Sequence, residues 1–286
     1  MSALAFFVGD AGAASPTRWI VFAAAPEHGT LPTQLFRIST TGTGLRQLTT
    51  GVRAATEPSF APDGRQIAFT RAVAGIFVTR ADGSGLHRLT PGPNDRFPVW
   101  SPTGREVAFV HPVGQHTRVA VIASDGRRRR TLRLGPEPMG RPAWTPDGRS
   151  LVVATADGVF VRIDARTGKA QRRLGPSYDT RDGTPSWSLS PNGRTIALVG
   201  RAPSPPGCAG LACEAFAVYV AGVSSPRFRR LVEAGSFPGW TPDGRRVVFA
   251  TSLGIDSVPL AGGQQRTIAV GAGAIPAGDA PPAWQP

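Results

Sequence analysis

The sequence predicts an all-β fold, a six-bladed β-propeller of four-stranded blades, and three observations predict it. A turn motif recurs with its proline at Pro62, Pro102, Pro146, Pro191 and Pro242, in steps of 40, 44, 45 and 51 residues, the period of one four-stranded propeller blade. The 286 residues include 35 glycines and 28 prolines, and an interior Gly costs about 1 kcal/mol and a Pro about 3 relative to Ala, so long helices are excluded. The last five residues, Pro282 to Pro286, repeat the opening P-x-W-x-P of the motif and then stop.

The elements of each blade follow in order. The copies read P-S-F-A-P-D-G-R-Q-I-A-F from Pro58, P-V-W-S-P-T-G-R-E-V-A-F from Pro98 and P-A-W-T-P-D-G-R-S-L-V-V from Pro142. Two more read W-S-L-S-P-N-G-R-T-I-A-L from Trp187 and P-G-W-T-P-D-G-R-R-V-V-F from Pro238. The aromatic side of the motif is a first strand. Its turn has a mechanism: Pro presets φ, Asp or Asn hydrogen-bonds the backbone ahead, and Gly supplies a positive φ. The apolar run after the turn is a second strand, buried between neighbouring sheets. A third strand such as Gly75 to Thr79, a polar turn such as Ala81 to Gly85 and a fourth strand such as Leu86 to Thr90 complete the period. Counterparts occur at Leu35 to Thr49, Val119 to Leu134, Val159 to Leu174, Val218 to Leu231 and Ser257 to Ile268.

The ends complete the ring. Arg18-Trp19-Ile20-Val21-Phe22 matches the second-strand pattern and is followed by strands at Leu35 to Ile38 and Leu45 to Thr49. The C-terminal strand at Trp284 therefore joins three N-terminal strands in a sixth blade, which removes exposed sheet edges. The propeller spans residues 17–286. Residues 1–16 read as a leader, either disordered or the remnant of a signal peptide. The apolar run from Ala3 to Val8 is short and no basic residue precedes it, so a signal peptide is not clear in this chain.

The net charge is +13 with 32 Lys and Arg against 19 Asp and Glu, and Lys169 is the only lysine. Basicity of this kind brings acidic partners into view. The densest run, Arg127 to Arg130, falls at an outer turn without interleaved aromatics for base stacking, so nucleic acid is not the expected partner. No stretch reaches the roughly 18 apolar residues of a membrane span. The two cysteines, Cys208 and Cys213, lie in a Pro- and Gly-rich segment whose four-residue spacing can close a small disulfide ring, which would favour an oxidising compartment; a pair of free thiols is the competing reading.

The P-x-W-S-P-D-G turn, the I-A-F strand after it and the A-D-G-S loop resemble the propeller repeats of TolB and related WD-like proteins. The resemblance covers about residues 17 to 286. It implies a six-bladed propeller and, from TolB itself, a periplasmic interaction protein. The leader leaves no room in this sequence for TolB's N-terminal α/β domain. The same repeats resemble the propellers of prolyl oligopeptidase-type peptidases, but no G-x-S-x-G nucleophile elbow occurs.

In a propeller the first strand of each blade is innermost, so residues just before the P-x-W motif rim the central channel. Asp95, Asp182 and Asp279 each lie three residues before Pro98, Pro185 and Pro282, in alternate blades. That spacing suits a Ca²⁺ or another hard cation held by oxygen ligands, although a turn Asp bonding its own loop explains the same residues. Glu57, Arg96, Arg141 and Phe237 share the rim. Mixed charge with one aromatic suits a peptide or a small acidic ligand, and interblade ion pairs are the competing reading. His28, His87, His111 and His116 share no repeat offset and lack further ligands for a metal.

The sequence therefore predicts a monomeric, non-catalytic binding module of the periplasm or secreted space. Its expected partner is a protein or peptide of the envelope or secreted space, held at the channel rim, with no cofactor beyond the calcium considered above. The alternative is a metal-assisted hydrolase or lyase on the same scaffold, against which stands the scarcity of asparagine, Asn94 and Asn192 being the only two.

Overall fold

A computed structural model describes residues 18–25, 32–135, 137–179, 185–201, 216–251, 254–270 and 283–285. These residues contain strands and turns but no helix. The N-terminal strands are β1 (Trp19–Ala24), β2 (Gln34–Ser39) and β3 (Arg46–Gln47). Blade one holds β4 (Ala55–Phe60), β5 (Gln66–Arg71), β6 (Gly75–Arg80) and β7 (His87–Arg88), and blade two β8 (Arg96–Trp100), β9 (Glu106–Val113), β10 (His116–Ala123) and β11 (Arg130–Thr131). Blade three holds β12 (Pro138–Trp144), β13 (Ser150–Thr155), β14 (Phe160–Asp164) and β15 (Ala170–Leu174), and blade four β16 (Trp187–Leu189), β17 (Thr195–Arg201), β18 (Phe216–Gly222) and β19 (Arg229–Val232). Blade five holds β20 (Ser236–Trp240), β21 (Arg246–Thr251), β22 (Gly254–Pro259) and β23 (Arg266–Val270). The C-terminal β24 (Ala283–Trp284) joins β1, β2 and β3 to make the sixth blade, so each of the six sheets has four antiparallel strands.

The predicted closure is present in register. Ile20 faces Trp284 and Val21 faces Ala283. Gln285 fastens the same end: its amide donates to the Trp19 carbonyl at 2.8 Å and its Nε2 to the Gly64 carbonyl at 3.1 Å. One residue near the C-terminus thus touches both the sixth blade and the first.

Each turn forms as its residues dictate. The Gly64 amide donates to the Ala61 carbonyl at 2.9 Å, Gly64 has φ 68°, and the Arg65 amide donates to Oδ1 of Asp63 at 2.9 Å. This is a type I turn closed by a left-handed glycine. The bond is made by the arginine backbone. At Gly193, φ is 70° and an added Cβ would lie 2.8 Å from Cδ of Pro146 in the preceding blade's turn. Glycine there serves both the turn and the fit between blades.

The core is divided among the blade interfaces. The first-strand aromatic of one blade wedges against the strands of the blade before it. Trp100 packs with Ala68, Ile76 and Val78, Trp144 with Ala108, Val119 and Val121, and Trp240 with Ala197, Val218 and Val220. Phe60 packs with Val21, Ala23 and Leu35, which ties blade one to blade six. Burial of this kind contributes about 25 cal/mol per Å² of apolar surface, so the ring is held by contacts that no blade makes alone.

The fourth strands are shorter than the sequence reading. In blades one, two and six the outermost strand keeps only two ladder residues. Threonine carries the pairing past that point: the Ile76 amide donates to Oγ1 of Thr90 at 3.1 Å and the Leu35 amide to Oγ1 of Thr49 at 2.9 Å. Both threonines are buried.

Candidate functional site

The innermost strands position the channel residues, and they do so through a shared irregularity. The pairing of first and second strands shifts register between Thr56 and Ser59, Arg96 and Val99, Met139 and Ala143, and Ser236 and Gly239. Glu57, Phe97 and Phe237, each directly before the motif proline, have φ values of 59°, 57° and 50°. Proline lacks an N–H and is tolerated in a strand at an edge or a bulge, and the innermost strand offers both. Left-handed backbone at three non-glycine residues costs about 1–3 kcal/mol each. It takes the residues flanking the proline out of the ladder.

Glu57, expected at an open rim, is 1% exposed. Its Oε1 accepts from Nε and Nη2 of Arg96 at 3.1 and 2.6 Å, and its Oε2 accepts from the Phe97 amide at 2.7 Å and from Oγ1 of Thr70. The carboxylate is saturated. Arg96 is 46% exposed and lies over the Phe97 ring at 4.9 Å. The pair joins blade one to blade two at the bulges.

Arg141 is different. Among the described residues it has no hydrogen-bond or ion-pair partner, and it lines a cavity of about 470 Å³. The guanidinium touches channel space but has protein around it, and this desolvation pushes its pKa down to about 10, against the opposing pull of Glu57.

The cavity opens on the face of the P-D-G turns. Pro62, Pro102, Pro146, Pro191 and Pro242 form its mouth, with Phe60, Trp100, Trp144, Trp240 and Trp284 behind them. Below these lies a belt of small residues at one register: Ser59, Val99, Ala143, Ser188, Gly239 and Ala283. Five small side chains and one glycine, one residue per blade, keep the axis open. Arg141 is the only charged residue among the described residues that line the cavity.

The other predicted residues fall in separate places. Asp95 is fully buried. Its Oδ1 accepts from Nδ1 of His111 at 2.6 Å and lies 3.6 Å from Nη2 of Arg129, while Oδ2 is buried without a hydrogen-bond partner. Phe237 is half-buried at its bulge. Asp182, Asp279, Cys208, Cys213 and His28 lie outside the described residues. His116 sits 3.6 Å from Glu137, so the two nearby histidines have different carboxylates. Glu137 is held below the usual carboxylate range, first by the Thr117 amide. No group of three or more His, Cys, Asp or Glu suited to a metal ion occurs among the described residues.

Of the predicted rim residues that are described, the structure brings Glu57 and Arg96 together and sets Arg141 apart as the one that lines the cavity. The small belt escaped the sequence reading. Its signal was present, because the residue between Pro and the aromatic is Ser, Val, Ala or Gly in four copies of P-x-[F/W] and Ala again at Ala283.

Comparison with known proteins agrees with this architecture. The family model described as the TolB beta propeller domain matches residues 8–190. The chain is 27% identical over 228 residues to "Uncharacterized peptidase YuxL" of Bacillus subtilis, covering 71% of this chain and 30% of that protein. It is 26% identical over 152 residues to "Tol-Pal system protein TolB" of Bordetella pertussis, covering 37% of this chain and 35% of that one. The chain thus spans about a third of the length of these curated relatives. Among solved structures, TolB from Acinetobacter baumannii superposes with a TM-score of 0.72 at 19% identity, over 94% of this chain and 67% of that one. No helix among the described residues is long and apolar enough to cross a membrane.

Proposed function

Since the chain belongs to the TolB β-propeller domain family, we propose that it is a non-catalytic binding module of the cell envelope or secreted space that holds a protein or peptide partner at its central channel. The observation that carries this reading is the belt of small residues under a ring of aromatic and proline side chains, a concave and largely apolar site of about 470 Å³. Such a site accepts a narrow segment of a partner.

The extracytoplasmic location draws on the likeness to TolB and on the spacing of Cys208 and Cys213. Intact mass with and without reductant, under alkylation, checks the disulfide: the oxidised form resists alkylation until reduced. The binding reading is tested by crosslinking in cells with identification of the adduct, comparing the wild type with Ala143→Leu, which narrows the small belt. The expected result is an adduct that Ala143→Leu loses while melting normally. Equal adducts from both proteins would overturn the channel as the binding site.

A further inference from the structure

We propose that the P-D-G-face cavity recognises a carboxylate carried on an otherwise apolar peptide segment, with Arg141 as its anchor. This deepens the channel-binding reading and rests on it. Three observations on different residues converge. The described wall is Pro, Trp, Phe, Leu and small residues, with Arg141 the only charge. The nearby carboxylate that would otherwise neutralise it, Glu57, is already committed to Arg96, Thr70 and the Phe97 amide. The small belt opens a path from the mouth to the arginine.

The chemistry is that of a buried-end anchor. A guanidinium presents parallel N–H donors that match two carboxylate oxygens, and such charge-assisted pairs are stronger than neutral ones. The apolar walls around the arginine lower the local dielectric, which strengthens the pair further. Poor solvation of Arg141 works in the same direction, since a ligand carboxylate restores what the site withholds. A long side chain beside the anchor would collide with the belt, so the residues flanking the carboxylate are small or extended.

The test uses the full chain with its six tryptophans labelled at the indole nitrogen. Trp100, Trp144, Trp187, Trp240 and Trp284 line the cavity and Trp19 does not, so Trp19 is an internal control. The probes are Ac-Leu-Ala with a free C-terminus, the same peptide as its C-terminal amide, and Ac-Ala-Asp-Ala amide. The first and third distinguish a chain terminus from an acidic side chain as the carboxylate source. Shifts of the cavity indoles with either carboxylate probe, none with the neutral amide, and affinity about tenfold or more weaker in Arg141→Gln support the proposal. Arg141→Lys should fall between, because lysine offers a point charge without the fork. Equal binding of acid and amide, unchanged binding in Arg141→Gln, or no cavity shift with any probe would overturn it. Those results leave the channel reading standing wherever Ala143→Leu still abolishes the cellular adduct.

Discussion

At the scale of single residues, the decisive contrast is between two arginines of the channel. Arg96 neutralises a carboxylate that is 1% exposed. Arg96→Met leaves that carboxylate with only the Phe97 amide and the Thr70 hydroxyl, and because Arg96 itself is half-exposed the loss should be about 1–3 kcal/mol, below the cost of breaking a fully buried pair. Arg141 has no such partner among the described residues and its charge is poorly solvated, so Arg141→Gln should cost no more than about 0.5 kcal/mol. Urea unfolding of the two variants checks both expectations together. A large loss for Arg141→Gln would mean that the arginine holds the ring rather than a ligand.

The turn carboxylates set the acid limb of stability. Asp147 and Asp243 lie below the usual range, each held first by a threonine hydroxyl, Thr145 and Thr241, and then by the amide two residues on. Their folded pKa values lie below the unfolded value near 3.8. Their stabilisation is therefore present above that pH and lost as pH falls through the folded pKa. Blade four performs the same capping with Asn192, whose Oδ1 accepts from the Arg194 amide at 3.0 Å. The double variant Asp147→Asn/Asp243→Asn should accordingly keep its melting temperature at pH 7 and lose less of it between pH 4 and pH 2 than the wild type.

At the scale of elements, the strands and turns were legible because each has a local cause. Pro, Asp or Asn and Gly impose the 1–2 turn without help from the rest of the molecule. The innermost bulge was not legible. Nothing local makes Glu57, Phe97 or Phe237 favour a positive φ, and only the closed ring over-determines it. That is why Glu57 and Arg96 read as rim residues in the sequence, whereas the bulge buries one and couples it to the other. The short fourth strands were hidden for a similar reason, because Thr49 and Thr90 replace ladder bonds with side-chain bonds. Gly193→Ala tests the turn fit: strain at φ 70° and a close approach to Pro146 predict a loss of about 1 kcal/mol or more.

At the scale of the whole molecule, stability is shared around the ring. Each aromatic wedge belongs to two blades, and the C-terminal strand closes the last interface through Trp284 and Gln285. Removing residues 284–286 deletes a large wedge, a loss of about 3 kcal/mol or more. For a chain of this size that lowers the melting temperature by roughly 6 °C or more, in a single transition. A truncation that melts like the wild type would contradict the closure. The same symmetry that stabilises the ring also makes the site, since a cavity at the axis needs every blade to present a small residue at one register.

The most direct test of that site places a photo-crosslinking amino acid at Thr103, exposed beside Pro102 at the cavity mouth and outside the small belt, and, in a second protein, at Arg173 on the outermost strand of blade three. Irradiation in cells should give a specific protein adduct from position 103, abolished by Ala143→Leu in the same chain, and none from position 173. An adduct from position 173 alone would contradict the channel as the binding site and move the partner to the outer face of the ring.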